Sequence, residues 1–311
     1  MRVAILGIGS IGSYVAAAFA KNTEHDLYLL ARSNYSRIQE EGIEVVEAVS
    51  NDSVKVHRFT VVDDINKIPV CEYVILAVKE AQVANLLPGI RRICLDHSKI
   101  VCLQNGINFE NKIHEALPQF SLYSGTCWIK ITTLGLGRIR HDFGNDIKLG
   151  RFRPLEQSVP LCLGDESVKH LFEAAQLKCE LEENIQSTQL TKLALNVPFF
   201  ILMAQEGKTA PEILADRELN GKREELQQEI IEASQLYGSP IDVDFLVKIL
   251  ANLRRQTVTV APDPQKLAET MKLELPSNAG ALLNLMESKG LEMTKLRTLY
   301  ERLFPQVLEI S

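Results

Sequence analysis

Met1 to Gly12 read MRVAILGIGSIG, and this stretch decides how the chain begins to fold. Arg2 to Leu6 is a short apolar run that reads as a strand, Ile11 to Lys21 has the character of a helix, and between them lies Gly7-x-Gly9-x-x-Gly12. In that strand-to-helix setting the glycines have a mechanism. Without side chains they allow a tight turn, close approach of a pyrophosphate to the backbone, and close packing of helix on strand. The helix N-terminus then turns its N–H groups towards the phosphates. Gly7, Gly9, Ser10, Ile11 and Gly12 are therefore the candidate dinucleotide-binding residues. The alternative is a glycine-rich turn with no ligand, which the flanking strand and helix disfavour.

The same alternation continues outward. Asp26 to Ala31 reads as a second strand, and Tyr73 to Val78 (YVILAV) and Ile100 to Leu103 (IVCL) are continuous apolar runs suited to strands covered on both faces. Gly125 to Phe152 reads as a run of shorter strands with turns at Gly135 and Gly144, followed by a helix near Glu166 to Ala175 and a strand at Lys178 to Glu182. From about Asn184 onward the periodicity is helical. Leu226, Ile230, Ala233 and Tyr237 line one helix face, and Gly238 supplies its stop. Asn278 to Lys289 and Thr294 to Phe304 read as further helices parted by Gly290. The expected architecture is an α/β N-terminal Rossmann-type domain with a parallel sheet, residues 1–184, followed by an all-α C-terminal domain, residues 185–311, for substrate and catalysis.

Bulk properties narrow the function classes. A chain of 311 residues favours two domains, and 46% hydrophobic with 24% charged residues is an ordinary globular composition. The net charge of −6 and the lack of a basic stripe leave no footprint for nucleic acid. The opening run lacks a basic leader and is broken by glycines, so neither a signal peptide nor a membrane span is expected, and the location expected is cytoplasmic. The six cysteines, Cys71, Cys94, Cys102, Cys127, Cys162 and Cys179, are scattered, with no zinc spacing, and read as buried apolar fillers; no metal is expected.

Strand ends supply the next candidates, because ligands of open α/β sheets lie beyond the carboxyl ends of the strands. Where many NAD binders place an acid after the second strand, this chain has Ala31 and Arg32. A guanidinium there suits the 2′-phosphate of NADPH; a solvated surface arginine is the alternative. Lys79 follows YVILAV and could meet a phosphate or carboxylate, and Asn105, followed by Gly106, could orient nicotinamide or substrate. Ordinary turn and surface roles are the alternatives for both.

The helix opening the second half carries Leu190, Leu193, Ala194, Val197, Ile201 and Ala204 on one face, with Phe199 and Met203 beside Lys192 and Asn196 on the other. Lys192 and Asn196, four apart, project from the same side. Apolar surroundings disfavour an ammonium ion and make it a better proton donor, as carbonyl reduction requires. Alternatively Lys192 reaches water and Asn196 bonds a backbone group.

Taken together, GIGSIG, Arg32, AVKEAQV with Lys79, LQNG with Asn105, KLALN with Lys192 and Asn196, and KLELPSNAG with Glu274 resemble the ketopantoate reductase (2-dehydropantoate 2-reductase) family over most of the chain. The resemblance implies NADPH-dependent reduction of ketopantoate to pantoate in pantothenate biosynthesis. It implies Lys192 as general acid, Asn105 and Asn196 as holders of substrate and cofactor, Lys79 near the cofactor, and Glu274 as a partner of the substrate hydroxyl or of the acid. The role of Glu274 rests wholly on the resemblance. The partner implied is a small 2-oxo acid, with a homodimer as candidate assembly and neither nucleic acid nor membrane.

The chain departs from the family's pattern on the substrate side. Thr259, Pro262, Asp263 and Pro264 stand where serines and an asparagine are usual, and Phe200 replaces a small polar residue four after Asn196. Two alternatives follow: an NADPH-dependent reductase of a different, bulkier or less hydroxylated 2-oxo acid, and a non-catalytic NADPH-binding regulatory protein. Retention of Lys192, Asn196 and Glu274 argues against the second.

Overall fold

The computed structural model describes residues 1–154, 160–254 and 263–305. Thr259 and Pro262 lie outside the described residues. The chain divides into two compact units, Met1–Gln104 with Phe109–Ile185, and Asn105–Asn108 with Gln186–Ser311.

The first unit contains, in order, β1 (Arg2–Leu6), α1 (Ser10–Asn22), β2 (Asp26–Leu30), α2 (Tyr35–Glu41), β3 (Ile43–Glu47), β4 (Ser53–Val56) and β5 (Thr60–Val62). β6 (Cys71–Leu76), α3 (Glu80–Ile93), β7 (Cys94–Cys102), α4 (Glu110–Ala116), β8 (Ser121–Gly135), β9 (Arg138–Arg151), α5 (Leu163–Ala174) and β10 (Lys178–Leu181) follow. The strands form one ten-stranded sheet in the order β4-β3-β9-β8-β7-β6-β1-β2-β5, with β10 on β9. β1 pairs in parallel with β2 on one side and β6 on the other, so the connections leave it in opposite directions. The loop after β1 thus lies at the switch point, where open α/β sheets bind their ligands.

Val3, Ala4, Ile5 and Leu6 are all fully buried, because both sheet faces are covered. Val15 and Phe19 of α1 and Val168 and Phe172 of α5 pack on one face, and Val83, Leu86 and Ile90 of α3 with Ile113 of α4 pack on the other. Phe19 meets Phe172 edge-on at 5.7 Å, an arrangement that contributes about 1 kcal/mol beyond area burial.

The sheet is mostly parallel, as expected, with antiparallel pairing at β3–β4 and β8–β9. One expectation is corrected in this unit: residues 125–152 form the greater part of one long hairpin, not several short strands. The chain reverses at Leu136 and Gly137, beyond Gly135. Gly144 is a bulge: its φ is +84°, a Cβ there would run into the Trp128 carbonyl oxygen, and the register shifts beside it. A glycine that reads as a turn here bends a strand without ending it.

In the second unit α6 (Ile185–Glu206), α7 (Ala210–Ala215), α8 (Arg217–Tyr237), α9 (Val243–Arg254), α10 (Pro264–Leu275), α11 (Ala281–Glu287) and α12 (Thr294–Leu303) follow one another. Asp216 caps α8 by accepting from Glu218 and Leu219 N–H, and Gly238 ends it in the left-handed conformation. Leu226, Ile230 and Ala233 form its buried stripe. Asp263 and Pro264 are the cap and first residue of α10, with the Asp263 carboxylate accepting from Lys266 N–H at 2.8 Å. A π-type turn, Pro276–Gly280, joins α10 to α11 without a break. The sequence expectation of a helix beginning at Asn278 therefore changes: Glu274 lies inside a continuous helical run, not before one. Pro276 cannot donate to the carbonyl four residues back, and a wider turn accommodates it.

The cysteine expectation holds for Cys71, Cys102, Cys127 and Cys179, which are buried, whereas Cys94 is half-buried and Cys162 is exposed. Cys162 precedes α5 and its Sγ accepts a 2.6 Å hydrogen bond from Arg151 Nη2, so it has a polar role at a helix end.

Candidate functional site

The glycine loop has the geometry its three glycines anticipate. Gly7 has φ +97°, and a Cβ on it would lie 2.6 to 2.9 Å from Val78 Cγ1, Val78 N and the Ala77 carbonyl carbon. A Cβ on Gly12 would run into the Gly7 carbonyl oxygen. A Cβ on Gly9 would meet nothing within 4 Å. Two glycines thus serve close packing of the protein on itself, and the middle one faces open space. Gly9 caps α1, whose first-turn N–H groups of Ser10, Ile11 and Gly12 precede the first intrahelical bond, Ser13 N–H to Gly9 C=O at 2.9 Å. Ser10 Oγ is 2.8 Å from Thr133 Oγ1 of β8, which fixes the loop from the side. No acidic residue occupies the first turn of α1, so nothing there repels an anion.

Arg32 is exposed just beyond β2 and enters no ion pair among the described residues. The next polar side chain, Asn34, donates to the Ile8 carbonyl and ties this turn to the glycine loop. Lys79 is exposed at the N-cap of α3, immediately after Val78, the residue that crowds Gly7. Gly7, Gly9, Arg32 and Lys79 therefore lie in the connections that follow β1, β2 and β6, and Ser10, Ile11 and Gly12 form the first turn of the helix after β1.

The second unit gathers the remaining candidates. Lys192 and Asn196 are half-buried, one helical turn apart on α6. Lys192 Nζ donates to Asn105 Oδ1 at 2.8 Å. Gly106, with φ +108°, lets the chain pass against the Ser277 carbonyl oxygen, which a Cβ would strike. Ser277 Oγ and Asn278 Nδ2 in turn donate to the Glu274 carbonyl, at 3.2 and 2.8 Å. The chain Lys192–Asn105–Gly106–Ser277–Glu274 is thereby connected through one side-chain bond, one backbone approach and one helix end. Asn196 makes no side-chain hydrogen bond among the described residues, and Phe200, one turn further, is half-buried.

Ser277 escapes a sequence reading because it meets the Asn105 loop through its backbone carbonyl. So does Gln227, which donates to the Ala194 carbonyl of α6 at 3.1 Å. Pro198 is the signal that could have found it, since a proline inside a helix leaves the carbonyl four residues earlier without its usual donor.

Among the described residues no group of three or more His, Cys, Asp or Glu is arranged to hold a metal ion, and no helix is long and apolar enough to cross a membrane.

Residues 3–154 match the family model described as ketopantoate reductase PanE/ApbA. A 2-dehydropantoate 2-reductase of Nostoc sp. is 27% identical over 308 residues, covering 97% of this chain and 94% of the relative. The crystal structure of 2-dehydropantoate 2-reductase from Geobacter metallireducens superposes with a TM-score of 0.81 at 20% identity, covering 97% of this chain and 99% of that one. The ternary structure of D-mandelate dehydrogenase with NADH and anilino(oxo)acetate superposes with a TM-score of 0.77 at 17% identity, covering 98% of both chains. Over residues 3–154 the chain matches the ketopantoate reductase PanE/ApbA family, and over nearly its whole length it is similar to 2-dehydropantoate 2-reductases.

Proposed function

We propose that the protein reduces ketopantoate to pantoate with NADPH, in pantothenate biosynthesis, with Lys192 as general acid. The observation that carries this reading is the 2.8 Å bond from the half-buried Lys192 Nζ to Asn105 Oδ1, in a chain whose residues 3–154 match the ketopantoate reductase family.

The residues of the glycine loop fit a dinucleotide: Gly9 leaves open space above the backbone, and α1 begins with N–H groups and no acid. Arg32 would pair with a 2′-phosphate, which favours NADPH over NADH. Lys79 would meet the cofactor's phosphates. NADPH, when bound, supplies the hydride delivered to the 2-keto carbon.

As negative charge develops on the keto oxygen, the Lys192 ammonium both stabilises it and gives up a proton to it. The neutral amine left behind regains its proton from solvent. Asn105 holds the ammonium by accepting one of its N–H bonds. Asn196, one turn along the same helix, would bond the substrate's polar groups. Glu274 would accept from the substrate hydroxyl or assist the acid.

A second reading has its own support. Phe200 is apolar and half-buried one turn beyond Asn196, and D-mandelate dehydrogenase shares the fold. Both favour a bulkier 2-oxo acid with fewer hydroxyls. The test is NADPH oxidation on a panel containing ketopantoate, pyruvate, 2-oxoisovalerate and benzoylformate, repeated with NADH. The proposal expects ketopantoate to be reduced fastest and NADPH to be preferred. A higher rate on benzoylformate replaces it with the second reading, and binding of NADPH without oxidation by any acid overturns both.

A further inference from the structure

We propose that Gln227 is a positioning residue for the proton donor. By donating to the Ala194 carbonyl that Pro198 leaves without a helical partner, it holds in place the stretch of α6 from which Lys192 and Asn196 project. The inference rests on the reading of Lys192 as general acid.

Pro198 lies inside α6, four residues after Ala194. Proline has no N–H to give, and its ring crowds the carbonyl at that spacing. Ala194 is 0% exposed, so water does not replace the missing donor. Gln227, on α8, does: its Nε2 donates to the Ala194 carbonyl oxygen at 3.1 Å. The other end of the same amide is also spoken for. Arg223 Nη1 donates to Gln227 Oε1 at 2.8 Å, and only one orientation of the amide satisfies both neighbours. Arg223 is itself 2% exposed. Its Nε donates to Asn220 Oδ1 at 2.9 Å, its Nη2 pairs with Glu224 at 3.1 Å, and its guanidinium lies 5.9 Å from the centre of the Phe199 ring, beside Pro198.

A buried cation is therefore held so that a buried amide points its N–H at one carbonyl. That carbonyl stands midway between Lys192 and Asn196, two residues from each. With the donor gone, an orphaned carbonyl next to a proline can swing, and the helix can bend there. The tip of Lys192 then moves with it, and small displacements of a catalytic group are costly in rate.

Gln227→Glu keeps an acceptor for Arg223 and replaces the donor by a carboxylate oxygen. Pro198→Ala restores an N–H within the helix and makes Gln227 dispensable. Both variants, the double variant and Lys192→Met are compared in kcat and KM for the panel acid that the wild type reduces fastest. Fluorescence of bound NADPH, melting temperature and amide exchange of peptides covering residues 190–200 are measured on the same samples.

The expected result for Gln227→Glu is a kcat about tenfold lower, NADPH affinity within about twofold, and faster exchange around Ala194. Addition of Pro198→Ala returns most of the lost kcat and slows the exchange. Unchanged kcat in folded Gln227→Glu overturns the proposal, as does a loss that Pro198→Ala does not recover. If Gln227→Glu does not accumulate folded, recovery of folded, active protein in the double variant supports it, and failure to recover overturns it. Full activity of Lys192→Met overturns instead the reading on which the proposal rests.

Discussion

Lys192 Nζ donates a 2.8 Å hydrogen bond to Asn105 Oδ1, joining a helix to a loop 87 residues earlier in the chain. Asn105→Leu removes the acceptor while keeping much of the side chain's bulk. Loss of one hydrogen bond to a charged group is worth about 1.5 to 3 kcal/mol, so kcat/KM for the 2-oxo acid should fall roughly ten- to a hundredfold. Steady-state kinetics check this, and unchanged kcat/KM would detach Asn105 from the site.

Two of the three glycines are predicted to fail in different ways. In Gly12→Ala the methyl meets the Gly7 carbonyl oxygen, so the β1–α1 junction must shift and melting temperature should drop together with cofactor affinity. In Gly9→Ala the methyl faces open space, so melting temperature should stay near the wild-type value while NADPH affinity falls. Calorimetry and cofactor fluorescence separate the two outcomes, and equal NADPH binding by Gly9→Ala would argue that the pyrophosphate lies elsewhere.

In the proposed reading Arg32 decides between the two nicotinamide cofactors. Arg32→Ala should weaken NADPH about tenfold to a hundredfold, the value of a charge-assisted pair, and leave NADH nearly unaffected. Arg32→Asp should go further and favour NADH, since an acid repels a 2′-phosphate and accepts from a 2′-hydroxyl. The ratio of kcat/KM for the two cofactors measures this directly; a ratio that does not move places Arg32 outside the cofactor site.

Asp165 gives the first unit an acid-sensitive element. Its carboxyl group is 1% exposed. Burial alone would raise its pKa, but hydrogen bonds from Cys162 N–H, Tyr123 OH and Arg151 outweigh this and hold it below the ordinary aspartate value. The folded state thus binds the proton more weakly than the unfolded one. The stabilisation is complete above the unfolded pKa of about 3.9 and is lost as pH falls through the lower folded value. Asp165→Asn should cost about 3 kcal/mol at pH 7, because Arg151 loses its buried partner, and should flatten the acid limb of stability against pH. Urea melts from pH 7 to 3 test both; an unaltered acid limb would show that other carboxylates govern it.

The parts of the fold that could be read in the sequence are those with a local cause. β1, its glycine loop and α1 follow from an apolar run, three glycines and a helical stripe that are contiguous in sequence. The pairing of β3 with β9 joins residues 44–47 to residues 138–141, and no local pattern encodes it. Gly144 looks like any turn glycine until Trp128 is placed opposite it. Lys192, Asn196 and Asn105 could be named as candidates from their setting, yet the Lys192–Asn105 bond could not, because the distance in sequence is long and the contact depends on the left-handed Gly106 lying against Ser277. Ser277 and Gln227 are illegible for a related reason: the groups they bear on are backbone groups, which every residue carries.

The most direct test of the account is the rate of NADPH oxidation in a single turnover by wild type and Lys192→Met, with saturating ketopantoate and the cofactor fully bound. The variant is expected to bind NADPH as the wild type does and to oxidise it slower by roughly a hundredfold or more, the contribution of a positioned general acid. An oxidation rate equal to that of the wild type would contradict it.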